Sequence, residues 1–112
     1  MPGAAQRFIE QTVGGVFTTR EAVVTVTAAP TQLLRNDPER VGWVITNTGG
    51  TRVNIGFRES SPSAQTLPLQ ADGGGVSANV REDFVLPTFS VFGIVAVGTS
   101  TVHVIEIVRV SE

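Results

Sequence analysis

The sequence predicts an all-β protein, a single antiparallel β-sandwich of about eight short strands preceded by an extended N-terminal arm. Three observations carry this. The 112 residues include 12 glycines and 6 prolines in a background rich in Val and Thr, as expected of strands joined by tight turns. The stretch Val41 to Arg58 contains two runs of alternating apolar and polar residues around Asn47-Thr48-Gly49-Gly50-Thr51, a hairpin signal. Turn signals also recur at roughly the 8 to 12 residue spacing of sandwiches and barrels.

The bulk properties set limits. At 112 residues the chain is one domain, long enough to bury about two-thirds of its unfolded surface without metals or disulfides. A net charge of -2, with both signs scattered, provides no basic patch for a phosphate backbone, so no nucleic-acid partner is expected. With no Cys there is no disulfide framework, thiolate nucleophile or Cys-based metal site, and the redox compartment stays open. The N-terminus lacks a basic region followed by an apolar core, and no apolar run approaches the ~20 residues that span a bilayer. The expectation is a soluble protein made without Sec-type export and with no membrane partner.

Residues 1-20 read as an arm and 21-112 as the sandwich domain. In the arm, Phe8, Ile9, Val13, Val16 and Phe17 follow no sustained period. Such a terminus either frays or docks its apolar side chains on its own domain or a neighbouring subunit. Glu21 to Ala29 alternates as a strand that Pro30 ends, Leu33 and Leu34 mark a short strand, and Asn36-Asp37-Pro38-Glu39 is a turn. In the hairpin that follows, Val41, Trp43 and Ile45 share a face in the first arm, as do Val53, Ile55 and Phe57 in the second.

Glu59 to Gln65 is a polar loop, Thr66 to Gln70 a short edge strand tolerant of Pro68, and Ala71 to Gly75 a turn. Val76, Ala78 and Val80 alternate, Arg81-Glu82-Asp83 bends the chain, and Phe84-Val85-Leu86 resumes a strand before Pro87. Phe89 to Val97 is apolar on both faces, with Phe92, Ile94 and Ala96 on one side and Phe89, Val91, Val95 and Val97 on the other. A strand of that kind needs a cover, the arm or another subunit. Gly98-Thr99-Ser100 is a hairpin turn into the last strand. There Val102, Val104, Val108 and Val110 share a phase with Glu106, and a bulge near Val104-Ile105 would move the charge to the other face. No helix is predicted.

Residue types that carry chemistry lack the partners that chemistry needs. His103 is the lone histidine, with no local motif to orient it as base or ligand. Glu82 and Asp83 are adjacent, so in a strand they point to opposite faces. Asp37 with Glu39, and Asp72 beside Gly73-Gly74-Gly75, do not follow a calcium-loop spacing, and the glycine run has neither the helix nor the Lys of a phosphate loop. Ser60, Ser61 and Ser63 stand outside any nucleophile-elbow motif. Trp43 offers an aromatic face for a sugar, but its phase with Val41 and Ile45 makes it core. No enzyme activity, cofactor or metal is expected.

Arg40-Val41-Gly42-Trp43-Val44-Ile45-Thr46-Asn47, then Gly49-Gly50, then Val53-Asn54-Ile55-Gly56-Phe57, resembles a pattern of small β-sandwich virion proteins of tailed phages. The later Leu69, Gly73 to Gly75, Phe92-Gly93-Ile94 and Val102-His103-Val104-Ile105-Glu106 are similar to its second half, so the resemblance spans roughly Arg35 to Glu106. It implies a jelly-roll-like sandwich serving as a capsid decoration (cement) protein, or alternatively as a tail, fibre or baseplate adaptor. A carbohydrate-binding module is the reading from another class. The decoration reading implies a homotrimer at threefold positions on the capsid exterior, with the major capsid protein and further copies of itself as partners, assembled in the host cytoplasm. Phe8, Ile9, Val13, Val16 and Phe17 are then expected to anchor it, and Val91, Val95 and Val97 to form the subunit interface.

Overall fold

The strands of this protein pair as nested couples, first with last. In the computed structural model, which describes residues 16–59, 66–79, 83 and 86–110, β1 (Phe17–Val26) pairs with β8 (Ser100–Arg109) and β2 (Thr31–Leu34) with β7 (Val91–Ile94). Inside these, β3 (Arg40–Asn47) pairs with β6 (Gly75–Asn79) and β4 (Val53–Gly56) with β5 (Leu67–Leu69). All four couples are antiparallel, so the chain is one long hairpin rolled up on itself. The β3–β8 and β4–β7 ladders close the roll into two four-stranded sheets: sheet A in the order β1-β8-β3-β6 and sheet B in the order β2-β7-β4-β5. This is the eight-stranded jelly-roll order, and it bears out the predicted sandwich.

The core lies between the sheets. Val26, Ile45, Val102 and Val104 from sheet A meet Leu34, Val53, Ile55, Leu69 and Val91 from sheet B, all buried. Each such side chain contributes about 1.5–3 kcal/mol through removal from water. An irregularity in the β2–β7 register between Gln32 and Leu34 lets both Leu33 and Leu34 be buried, which strict alternation would forbid.

Two expected hairpins are not hairpins. β3 and β4 belong to different sheets, so Asn47 to Thr51 carries the chain across the top of the sandwich, and Gly98-Thr99 carries it from β7 in sheet B to β8 in sheet A. Alternation places one face of each strand on a core, but it cannot tell whether two successive strands share a ladder or face each other across that core. The first crossing is tied by the buried Asn47. Its Nδ2 donates to the carbonyls of Thr51 (2.8 Å) and Leu69 (3.0 Å), and its Oδ1 accepts from Ser100 Oγ (2.8 Å) and the Gly49 amide (3.1 Å).

Other boundaries differ as well. β1 begins at Phe17, inside the segment expected to be arm, because Phe17 to Arg20 continue the ladder along β8. Leu86–Thr88 is a turn of 3-10 helix, not strand, consistent with the proline in it. The bulge expected near Val104-Ile105 is absent, since β8 keeps one phase along all of β1. It lies across the ladder instead, in β3, where Arg40 pairs with Val108 and Gly42 with Ile107, leaving Val41 as the extra residue.

Candidate functional site

That bulge decides where the charged groups go. Trp43, Ile45 and Asn47 are the inward residues of β3, and by strict alternation Arg40 would face outward. The extra Val41 turns it inward, opposite Val108, and the Arg40 residue is only 1 % exposed. Its Nε donates to Glu106 Oε1 at 2.7 Å, Nη2 to the Arg35 carbonyl at 2.7 Å, and Nη1 to the Pro87 and Phe89 carbonyls at 3.2 and 3.4 Å. A buried guanidinium is tolerated because each of its nitrogens has an acceptor.

Glu106 is shared. From the edge strand β1, Arg20 Nη2 donates to the same Oε1 at 3.0 Å and to Asp37 Oδ2 at 2.7 Å. Asp37 Oδ1 in turn accepts the Glu39 amide at 2.9 Å, closing the turn that leads into β3. Burial pushes the Asp37 carboxyl up, but the hydrogen bond from Arg20, the Glu39 amide and the nearby Arg20 and Arg40 charges outweigh it, so Asp37 titrates below its ordinary range. Arg20 is held above its ordinary value, chiefly by the hydrogen bond to Asp37.

This cluster sits in a groove of about 360 Å3 between the edge strands of the two sheets. β1 has ten residues and β2 only four, so the two edges are of unequal length. Arg20 and Glu21 form one side, Leu33, Leu34 and Arg35 the other, and Arg40 with Glu106 the floor. The floor charges are already engaged with each other and with backbone carbonyls. The arrangement holds β8, β3 and the β2–β3 turn in fixed relation, and links them to Pro87 and Phe89.

The residues weighed for chemistry are placed as follows. His103 Nε2 lies 3.1 Å from Glu21 Oε1 on the outer face of sheet A. Asp72 takes a positive φ of 60° in the turn before β6. Asp83 Oδ2 accepts the Asn79 amide at 2.9 Å. Trp43 is buried in the core, and its Nε1 has no hydrogen-bond partner. Glu82, Ser60, Ser61 and Ser63 lie outside the described residues. Among the described residues, no group of three or more acidic or histidine side chains is placed to hold a metal ion, and no helix is long and apolar enough to cross a membrane.

Of the residues expected at contacts with other subunits or the shell, Phe8, Ile9 and Val13 lie outside the described residues. Val16 is exposed at the head of β1, while Phe17 is buried. Val91 and Val95 belong to the chain's own core and so present nothing to a neighbour, whereas Val97, on the loop between β7 and β8, is 80 % exposed. The shared phase seen in the sequence is real for Val91 and Val95. β7 ends at Ile94, and past Val95 the phase is lost, which leaves Val97 exposed. Sequence reasoning missed the Arg20–Asp37–Glu106–Arg40 cluster. Its one visible signal was a glutamate in the inward phase of β8, which on local pattern reads as a phase slip.

No protein-family model, curated protein or solved structure matches this chain.

Proposed function

We propose that the chain is a non-enzymatic structural protein of a tailed-phage virion, a decoration protein that binds across capsomers on the outside of the head. The observation that carries the reading is the jelly-roll strand order, an architecture that viral capsid and lectin domains use. It is joined to the resemblance centred on Arg40 to Phe57. The support is therefore of the fold-level kind, with no reacting group behind it. The cross-tied charge cluster and the Asn47 crossing suit a rigid bridging part.

The mechanism is mechanical. A protein that binds neighbouring capsomers in the assembled shell, and not the dissociated subunits, stabilises the assembled state by mass action. Anchoring falls to Phe8, Ile9, Val13 and Val16 of the N-terminal segment, with Val97 as an exposed apolar contact. Quantitative mass spectrometry of virions that carry this chain tests the proposal. A copy number comparable to that of the major capsid protein supports decoration, a far lower number assigns the chain to the tail or a vertex, and absence from particles overturns the virion reading.

A further inference from the structure

Edge strands of soluble proteins are ordinarily kept short, or interrupted by a proline or a bulge, so that their free amides and carbonyls do not recruit another strand. Three of the four edges here follow that rule. β2, β5 and β6 have four, three and five residues, and β5 carries Pro68. β1 departs from it, because its ten residues pair with β8 in one unbroken register, with no proline and no bulge. The Val16 carbonyl accepts the Val110 amide at 2.7 Å, so with period two Thr18, Arg20, Ala22 and Val24 turn their backbone groups to β8. Thr19, Glu21, Val23 and Thr25 turn theirs to the open edge, where no strand among the described residues meets them.

We propose that the β1 edge binds an extended segment of a partner protein, added antiparallel as a fifth strand of sheet A. Main-chain bonds to Thr19, Glu21, Val23 and Thr25 supply the attraction, and alternate side chains supply the choice. Inward side chains of the added strand stand over the groove of about 360 Å3 between β1 and β2. There Arg20 reaches both Asp37 and Glu106 through Nη2, and its side chain is 41 % exposed, which leaves Nε and Nη1 for an acidic residue directly opposite. On the outer face Glu21 takes a basic residue beside that acid. The partner segment therefore carries adjacent basic and acidic residues among β-branched ones. A second copy of β1 does not fit this description. Residues directly opposite in a two-fold antiparallel pair lie on the same face, so Arg20 meets only even-numbered positions of the copy, none of which is acidic in β1. The inference goes beyond the virion reading and is tested apart from it, because particle copy number decides one and peptide binding by the purified chain decides the other.

The probe is the synthetic peptide Thr-Val-Thr-Val-Lys-Glu-Thr, which, run antiparallel from Thr25 to Thr19, sets its Lys opposite Glu21 and its Glu opposite Arg20. Amide exchange of the full-length chain is followed by NMR as the peptide is raised to about 5 mM, enough to detect a Kd of about 1 mM. The amides of Thr19, Glu21, Val23 and Thr25 are expected to exchange fast in the free chain and about fivefold more slowly with the probe, while those of Thr18, Arg20, Ala22 and Val24 are slow throughout. The same peptide with Lys in place of Glu is expected to bind at least about threefold more weakly, although the chain's net charge of -2 favours it. Val23→Pro removes an edge amide and no bond to β8, so it is expected to keep the fold and weaken the probe about fivefold. A flat response to the probe, or equal binding of the two peptides, overturns the proposal. So do edge amides that are already slow in the dilute free chain, or that slow with protein concentration alone, since the chain itself then fills the edge. Should Val23→Pro unfold, the alternating amide pattern and the two peptides decide.

Discussion

Arg40 and Glu106 stand 66 positions apart in sequence, and their side chains meet at 2.7 Å beneath the edge of the sandwich. The bulge at Val41 makes the contact possible, since without it Arg40 would point away from the core. Removing one partner strands the other in a poorly hydrated place. Arg40→Ala is expected to lower stability by about 3–5 kcal/mol. Glu106→Gln keeps an acceptor oxygen and is expected to cost less. Replacing both with apolar residues, Arg40→Met with Glu106→Leu, is expected to be milder than Arg40→Ala alone, and urea unfolding of the four proteins checks the order.

Asn47 uses both ends of its amide to tie the β3–β4 crossing to β5 and β8. Asn47→Ala leaves the Leu69 carbonyl and the Ser100 hydroxyl without this partner, and the expected loss is about 2–4 kcal/mol. Asn47→Asp keeps the shape but turns a donor into a buried negative charge facing two carbonyls, so it is expected to be the worse change at neutral pH. Chemical denaturation at pH 7 ranks the two.

Gly49 and Gly50 are neighbours with opposite tolerances. A Cβ on Gly49 would collide with Ser100 Oγ and lie 2.6 Å from the Thr101 amide, while one on Gly50 meets nothing within 4 Å. Gly49→Ala is therefore expected to destabilise by roughly 1–3 kcal/mol as overpacking does, and Gly50→Ala to stay within about 0.5 kcal/mol. Equal melting temperatures for the two variants would show that the crossing has more slack than these distances allow.

Asp37 sets an acid dependence of known sign. Its folded-state pKa lies below the unfolded value, so its contribution is fully present above the unfolded carboxylate range and disappears as pH falls through the folded value. The wild type is expected to lose stability below about pH 4 more steeply than Asp37→Asn, whose curve is lower at neutral pH and flatter in acid. Because Arg20 is substantially exposed, solvent screens the pair and the difference is modest. Denaturation midpoints at pH 7, 4 and 3 measure it.

Val95 separates a core role from an interface role. Its side chain is buried and its amide donates to the Thr27 carbonyl at 3.0 Å. Val95→Asp is expected to unfold the chain by placing an unpaired charge in the core, not to release a folded monomer. Circular dichroism alongside sedimentation distinguishes the two outcomes.

The sequence by itself determined the class of fold and most of the strands. Period-two alternation, glycine turns and prolines are local signals, and they located β2, β3, β4, β5, β6 and β8 to within a few residues. It also placed Trp43, Ile45, Val53 and Ile55 inside. What only the tertiary structure decided was which strands share a ladder. β3 with β4 and β7 with β8 read as hairpins because a glycine turn between two half-apolar strands looks the same whether the chain reverses within a sheet or crosses to the facing one. The charge cluster was hidden for a related reason. Glu106 is anomalous in its own strand while Arg40 reads by alternation as an ordinary outward charge, and only the β3–β8 ladder, with one residue of slip at Val41, brings the two together as one satisfied pair.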